Sequence, residues 1–263
     1  MEKNNYKGFL YLLPAFVFLG FFLVYPLIDV FVYSFQENYN FASQTYTGVG
    51  LYNYAYVLHD PYFLQALKNT FLLVIITVPL STGLALLISL CLSSIQKLRE
   101  LFQTVFFLPY VFSAAVIGFF STIVFNESFG MVNKVLMALG VSKVNLPVFY
   151  ADTSHAFALM MGTGIWYSSV IGMMILLSNM KNIPADVMEA ATVDGANEWK
   201  KFIHIILPDL GPGMINIIVL DAIWGITAFD LPYVLGGPYG RGGAIDFVNM
   251  MFYRTAFGSG AVS

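Results

Sequence analysis

Two carboxylates fall inside long apolar runs of this sequence, Asp29 and Asp221. A carboxylate at membrane depth is costly enough to mark function by default. Asp29 lies near the end of its run, within reach of water. Asp221 lies deep in its run, where it could line a hydrated path, pair with a partner subunit, or make a structural bond inside a bundle. Three polar-aromatic patches also interrupt the apolar background: Tyr110 and Ser113 in "LPYVFSAAVIG", the stretch "GTGIWYSS", and "DAIWGITAFD" with Trp224, Thr227, Phe229 and Asp230. Aromatic faces beside hydroxyls can stack on a bound solute and hydrogen-bond it. The same residue types also populate membrane interfaces and bundle cores, and Ser and Thr often bond their own helix backbone.

Catalytic chemistry finds little support. An intramembrane enzyme needs several Asp, Glu, His or Ser groups at one depth, and Asp29 and Asp221 do not supply them. An ion-coupled transporter needs a titratable relay, for which one deep Asp is thin. His59, His155 and His204 are scattered among loops without metal-ligand spacing. The single Cys91 can form no internal disulfide. No G-x-x-x-x-G-K-[ST] motif occurs, so the sequence offers no P-loop for nucleotide hydrolysis.

The elements that would hold these groups are membrane helices. The 263 residues are 58% hydrophobic and only 10% charged, with a mean hydropathy of +0.74. Soluble domains carry about 25% charged residues. The net charge of −3 and the lack of a basic run exclude a nucleic-acid partner. A spanning helix needs about 20 mostly apolar residues. Five stretches qualify: residues 9–32, 69–92, 101–125, 156–179 and 213–234. The first exceeds the roughly 7–15 apolar residues of a signal peptide and predicts a retained transmembrane helix. Pro14, Pro26, Pro79 and Pro109 interrupt these runs, so neighbouring helices must satisfy the freed carbonyls. A short amphipathic helix is expected from 132 to 139, ended by Gly140.

Lys and Arg in the loops orient the chain. With the N-terminus cytoplasmic, the inside holds Lys3, Lys7, Lys97, Arg99, Lys181, Lys200 and Lys201; the outside holds Lys68, Lys134, Lys143, Arg241 and Arg254. Seven against five favours that orientation, since Lys97 and Arg99 lie in a short loop beside two helix ends.

The segment "EAATVDGANEWKKFIHIILP", residues 189–208, then lies in the cytoplasm. Pro184 suits a first helical position. Val187, Ala190, Ala191 and Asp194 share one face, mostly of small residues that admit close approach. Gly195 suits a left-handed helix end, and Asn197 a new N-cap. Trp199, Phe202, Ile203 and Ile206 form an amphipathic stripe, closed by Pro208 and Pro212. This predicts a helix–turn–helix elbow, either resting on lipid headgroups or docking a cytoplasmic partner.

This segment closely resembles the EAA loop of ATP-binding-cassette importer permeases. Glu189, Ala190, Ala191, Asp194, Gly195, Ala196, Leu207 and Pro208 all match. "GLYNYAYVL", "ALKNTF", "LPYVFSAAVIG", "SFGMVN", "NIPADVMEAATVDGA" and "FDLPYVLGGP" follow in the order of the sugar-importer branch, with an N-terminal pattern like the maltose-type first permease but without its large external domain. The resemblance implies an all-α membrane protein of the type I importer permease fold. It also implies a single permease domain over residues 1–263, with residues 181–212 as the coupling loop. The family's sixth core helix is missing here, because the sequence stops where it would begin.

The resemblance implies further that the chain is a non-enzymatic, multi-pass subunit of a bacterial-type cytoplasmic membrane. Its implied cargo is an oligosaccharide or polyol, with a glycerophosphodiester or other solute as the alternative. The implied partners are a second related permease, two cytoplasmic ATPase subunits carrying ATP and Mg, an extracellular solute-binding protein, and membrane lipid. No cofactor is expected on this chain. Glu189, Ala190, Ala191, Asp194, Gly195, Leu207 and Pro208 would meet the ATPase. Tyr110 matches a family substrate contact, while Ala114 stands where the family has a small polar residue. Gly164, Tyr167 and Ser168 align near other contact positions. Ser113, Asp221, Trp224, Thr227 and Phe229 complete the expected substrate set. The runs hold no Arg or Lys, which disfavours an anionic cargo.

Overall fold

The computed structural model describes residues 5–40, 43–95, 97–150 and 152–258. They fall into two compact units that part between Leu64 and Gln65.

In the first unit, α1 (Asn5–Leu19), a π-helical turn (Gly20–Val24) and α2 (Tyr25–Ser34) follow one another without a break. The π turn ends two residues before Pro26, whose missing N–H and ring disfavour an ordinary turn there. The stretch Gly8–Ser34 is long and apolar enough to cross a membrane. Beyond it, β1 (Gln36–Glu37) pairs antiparallel with β2 (Gly48–Val49). The Asn53 amide of α3 (Tyr52–His59) donates to the carbonyls of Ser34 and Gln36.

The second unit is built on α4 (Pro61–Ser94), whose first turn contains the division, and on α8 (Thr153–Met180). Both are long and apolar enough to span. The hydroxyls of Thr70, Thr77 and Ser89 bond carbonyls of α4 itself, while the buried Thr82 hydroxyl has no partner among the described residues. Asp152 caps α8: the Ser154 hydroxyl and N–H, and then His155, hold its carboxyl below the usual carboxylate range.

The third expected span is not straight. α5 (Arg99–Val111) and α6 (Ala114–Val124) meet at 98°. Pro109 weakens the last turn of α5, and Ser113 caps α6 by accepting from the Val116 N–H at 3.4 Å. α7 (Met131–Ala138) follows, with Gly140 at φ +95°.

The fifth expected span also differs. α9 (Ala185–Val193), α10 (Glu198–Lys201), a π turn (Phe202–Ile206) and α11 (Leu207–Asp209) lead into α12 (Gly211–Ile226). The stretch Glu198–Asp209 meets α12 at 61°, so Pro208 and Pro212 accompany a bend rather than close a helix. α12 stops at Ile226 instead of running on to 234, and a separate α13 (Asp230–Gly236) starts after a three-residue break. α14 is Val248–Phe257. Among the described residues, three helices are long and apolar enough to cross a membrane, or up to five if each bent pair is one span.

Leu73, Met160, Leu231, Leu235 and Phe247 make one buried core, and Ala85, Leu176, Leu210 and Ile217 another. The glycine-rich stretch after α13 is pinned to the first of these. The Asn69 amide reaches the carbonyls of Gly243, Ala244 and Asp246, and the Asp246 carboxylate takes both terminal nitrogens of Arg254.

Candidate functional site

The 98° bend brings the end of α5 against α8, across a pocket from α12. This pocket of about 450 Å³ is lined by Tyr110, Ser113 and Ala114 from the bend, Tyr167, Ser168 and Ile171 from α8, Leu220, Asp221 and Trp224 from α12, and Asp230 from α13. Tyr110 and Tyr167 stack with centroids 5.7 Å apart and planes 26° from parallel. The Tyr167 hydroxyl donates to the Phe112 carbonyl at 3.2 Å, a carbonyl that the bend has released from its helix. One side chain thus holds the bend and presents a ring to the pocket. Ser168 is buried beside it.

Asp221 is 3% exposed and accepts a hydrogen bond from the Ser81 hydroxyl of α4. This is a bundle bond made by a carboxylate that also lines the pocket. The sequence does not single out Ser81, whose partner lies 140 residues away. Its only signal is a hydroxyl two positions after Pro79 in an apolar run.

Gly164 does not line the pocket itself. A Cβ at that position would stand 2.7 Å from the Trp224 ring, so glycine is what allows the indole its place. Two other expected residues lie elsewhere. Thr227 bonds the Ile223 carbonyl at 2.6 Å, and Phe229 packs with Tyr233 and Tyr253 at centroid distances of 5.2 and 4.9 Å. Both follow the end of α12, so they leave its pocket-facing side. A larger cavity of about 670 Å³ sits beside the same bend, walled by Leu108, Phe112, Phe120, Phe125, Phe149 and Trp166. It offers few groups to orient a polar solute.

The elbow is made by local chemistry. Pro184, with ψ 134°, is the N-cap of α9 rather than its first residue. Gly195 sits at φ +78°. The Ala196 N–H reaches the Ala191 carbonyl at 2.9 Å and the Gly195 N–H reaches Thr192 at 3.1 Å. This pair of bonds is the Schellman ending. Two residues later the Asn197 side chain accepts from the Lys200 N–H at 2.8 Å and starts α10. Glu189, Ala190, Asp194 and Pro208 are exposed, whereas Ala191 and Leu207 are half-buried. Of the amphipathic stripe, Ile206 packs against the core around fully buried Leu210, while Trp199 and Ile203 stay exposed. Lys201 is buried and paired with Glu198 at 2.8 Å.

Residues 81–259 match the family described as the binding-protein-dependent transport system inner membrane component. The probable ABC transporter permease protein YurN of Bacillus subtilis is 31% identical over 259 residues, covering 98% of this chain and 87% of that protein. The arabinooligosaccharides transport system permease protein AraP of the same organism is 34% identical over 224 residues, covering 83% and 68%. A solved bacterial alginate ABC transporter, in complex with an alginate pentasaccharide-bound periplasmic protein, superimposes with a TM-score of 0.84 at 21% identity, covering 98% and 85% of the two chains. The fold is that of an importer permease, and the spanning helices make this an integral membrane protein. The chain belongs to the family of binding-protein-dependent transport system inner membrane components.

Proposed function

We propose that this chain is the carbohydrate-translocating permease subunit of an ATP-driven importer, and that the pocket around Tyr110 and Tyr167 is its substrate site. The observation that carries the reading is the stacked tyrosine pair beside Ser168, Asp221 and Trp224 in one pocket between bundle helices. Rings that stack on sugar faces and acceptors that meet hydroxyls are what a sugar requires of a protein. AraP, named for arabinooligosaccharides, supports the substrate class. In this reading Tyr110, Ser113, Tyr167, Ser168, Asp221 and Trp224 meet the cargo, and Gly164 makes room for Trp224.

The permease domain spans residues 1–263, and residues 181–212 are its coupling loop. The N-terminus and the elbow are cytoplasmic. Glu189, Ala190, Ala191, Asp194 and Gly195 dock on one of two ATPase subunits, which hold ATP and Mg; Leu207 and Pro208 join the docking helix to the bundle. A second related permease completes the path, and an extracellular solute-binding protein delivers the cargo. The alginate transporter's complex with its periplasmic protein supports that last partner.

The connection between elbow and pocket is covalent. The elbow runs through the 61° bend into α12, which carries Asp221 and Trp224. Asp221 lies about 15 Å along that helix from its start, at 1.5 Å per residue. Tilting the elbow therefore tilts a pocket wall, as alternating access requires.

The test is purification with its partners, reconstitution, and ATP hydrolysis screened across neutral oligosaccharides and polyols. Stimulation by at least one of them is expected. Steady uptake in ATP-depleted vesicles driven by an ion gradient would sink the reading.

A further inference from the structure

The acidic and basic groups of the pocket are one-sided. Asp221 and Asp230 both line it, and among its lining residues there is no Lys, Arg or His. Asp230 is exposed at the start of α13. Asp221 is nearly buried, and the Ser81 hydroxyl bonded to it is neutral. The rings act in the same direction, because an aromatic face attracts cations. Arg241 of the glycine-rich stretch and Arg254 of α14 are engaged elsewhere: Arg254 with Asp246, and Arg241 over the Tyr150 ring at 5.3 Å. Charges inside a bundle act more strongly than in water.

We propose that Asp221 and Asp230 make the pocket a charge filter, which accepts neutral sugars and sugars bearing an ammonium group and refuses those bearing a carboxylate or sulfonate. The filter rests on the carbohydrate reading above. The fold does not decide this property, since the alginate importer of the same fold handles an acidic polysaccharide. The side chains in the pocket decide it, by placing like charge against an entering anion.

The experiment uses the assembled importer in nanodiscs without its binding protein, so that only the permease site selects. A neutral gluco-oligosaccharide, a matched glucuronate oligosaccharide and a matched glucosamine oligosaccharide are titrated by calorimetry. The glucuronate is expected to bind at least about tenfold more weakly than the neutral sugar, and the glucosamine at least as tightly. Glucuronate binding within about twofold of the neutral sugar overturns the filter while the carbohydrate reading stands. If none of the three binds and none stimulates ATP hydrolysis, the carbohydrate reading falls and the filter with it. Asp230→Asn, alone and with Asp221→Asn, is expected to close most of the gap between neutral and glucuronate sugars, and Asp230→Glu to keep it. An unchanged gap in an assembled double variant also overturns the filter. If the Asn variants do not assemble, the native titration decides.

Discussion

The pocket and the elbow lie in the same unit of the chain but are built by opposite routes. The elbow is assembled from neighbours in sequence: a proline N-cap, a glycine at φ +78° and an asparagine N-cap within fourteen positions. The pocket is assembled across distance, from the end of α5, the middle of α8, one face of α12 and the start of α13, with a hydroxyl of α4 bonded to Asp221. Local construction yields a rigid exposed surface. Distant construction yields a cavity whose shape depends on how the helices stand against one another. If the two regions divide coupling from recognition, variants in each should fail differently.

The largest effect is expected from Gly195→Pro. Proline cannot adopt φ +78°, and it removes the N–H bonded to Thr192. Uptake in proteoliposomes should be lost while insertion and calorimetric sugar binding persist. Gly195→Ala keeps the N–H and faces only the left-handed penalty of about 1–2 kcal/mol, so it should retain part of the uptake. Equal activity of both variants would break the assignment of coupling to the elbow.

Next come the pocket variants. Tyr167→Ala removes the stacked ring and the bond to Phe112 together, and should weaken sugar binding by about 1–3 kcal/mol. Tyr167→Phe keeps the ring and should cost about 1 kcal/mol. Gly164→Ala should displace the Trp224 ring and weaken binding as well. Basal ATP hydrolysis should be unchanged in all three. A pocket variant that altered basal hydrolysis with normal sugar affinity would reverse the comparison.

Asn197→Ala should be milder, because it removes one cap worth about 1 kcal/mol from a short exposed helix. Hydrogen exchange should show faster opening confined to α10. The smallest effect is expected from Asp152→Ala at the start of α8. Its carboxyl titrates below the usual range, so its contribution is present above the ordinary carboxylate pKa and lost as pH falls through the lowered folded value. The variant's melting temperature should fall slightly below that of the native chain at neutral pH, and the difference should vanish in acid.

The same contrast explains what could be read from the residues alone. Gly195 and Asn197 announce their roles because a φ preference and a side-chain cap act within a few positions. The helix run up to Ile226 is equally visible. Its end is not, because no strongly polar residue follows until Asp230 and hydropathy does not register a turn. Thr227 and Phe229 therefore read from sequence as one group with Asp221 and Trp224, from which the break in the helix separates them. Pro109 signals a weak point in α5, but the 98° angle follows from the Ser113 cap and the packing of α6 against α13. The Ser81–Asp221 bond is a meeting of two helices, and neither residue's neighbours in sequence disclose it.

That bond also sets a mechanical ratio. Ser81 bonds Asp221 of α12 at the level of the pocket, while the 61° bend beside Leu210 lies at the other end of α12, where the elbow enters it. Leu210, fully buried, is then a fulcrum. A turn of about 5° about it sweeps the Asp221 level by roughly 1 Å over an arm of about 15 Å. The stroke delivered at the pocket is thus short, comparable to the difference between a sugar hydroxyl in hydrogen-bond reach and one just beyond it. If the elbow drives this pocket as proposed, such a machine would release its cargo by loosening a few contacts at once and would have no need of a wide swing.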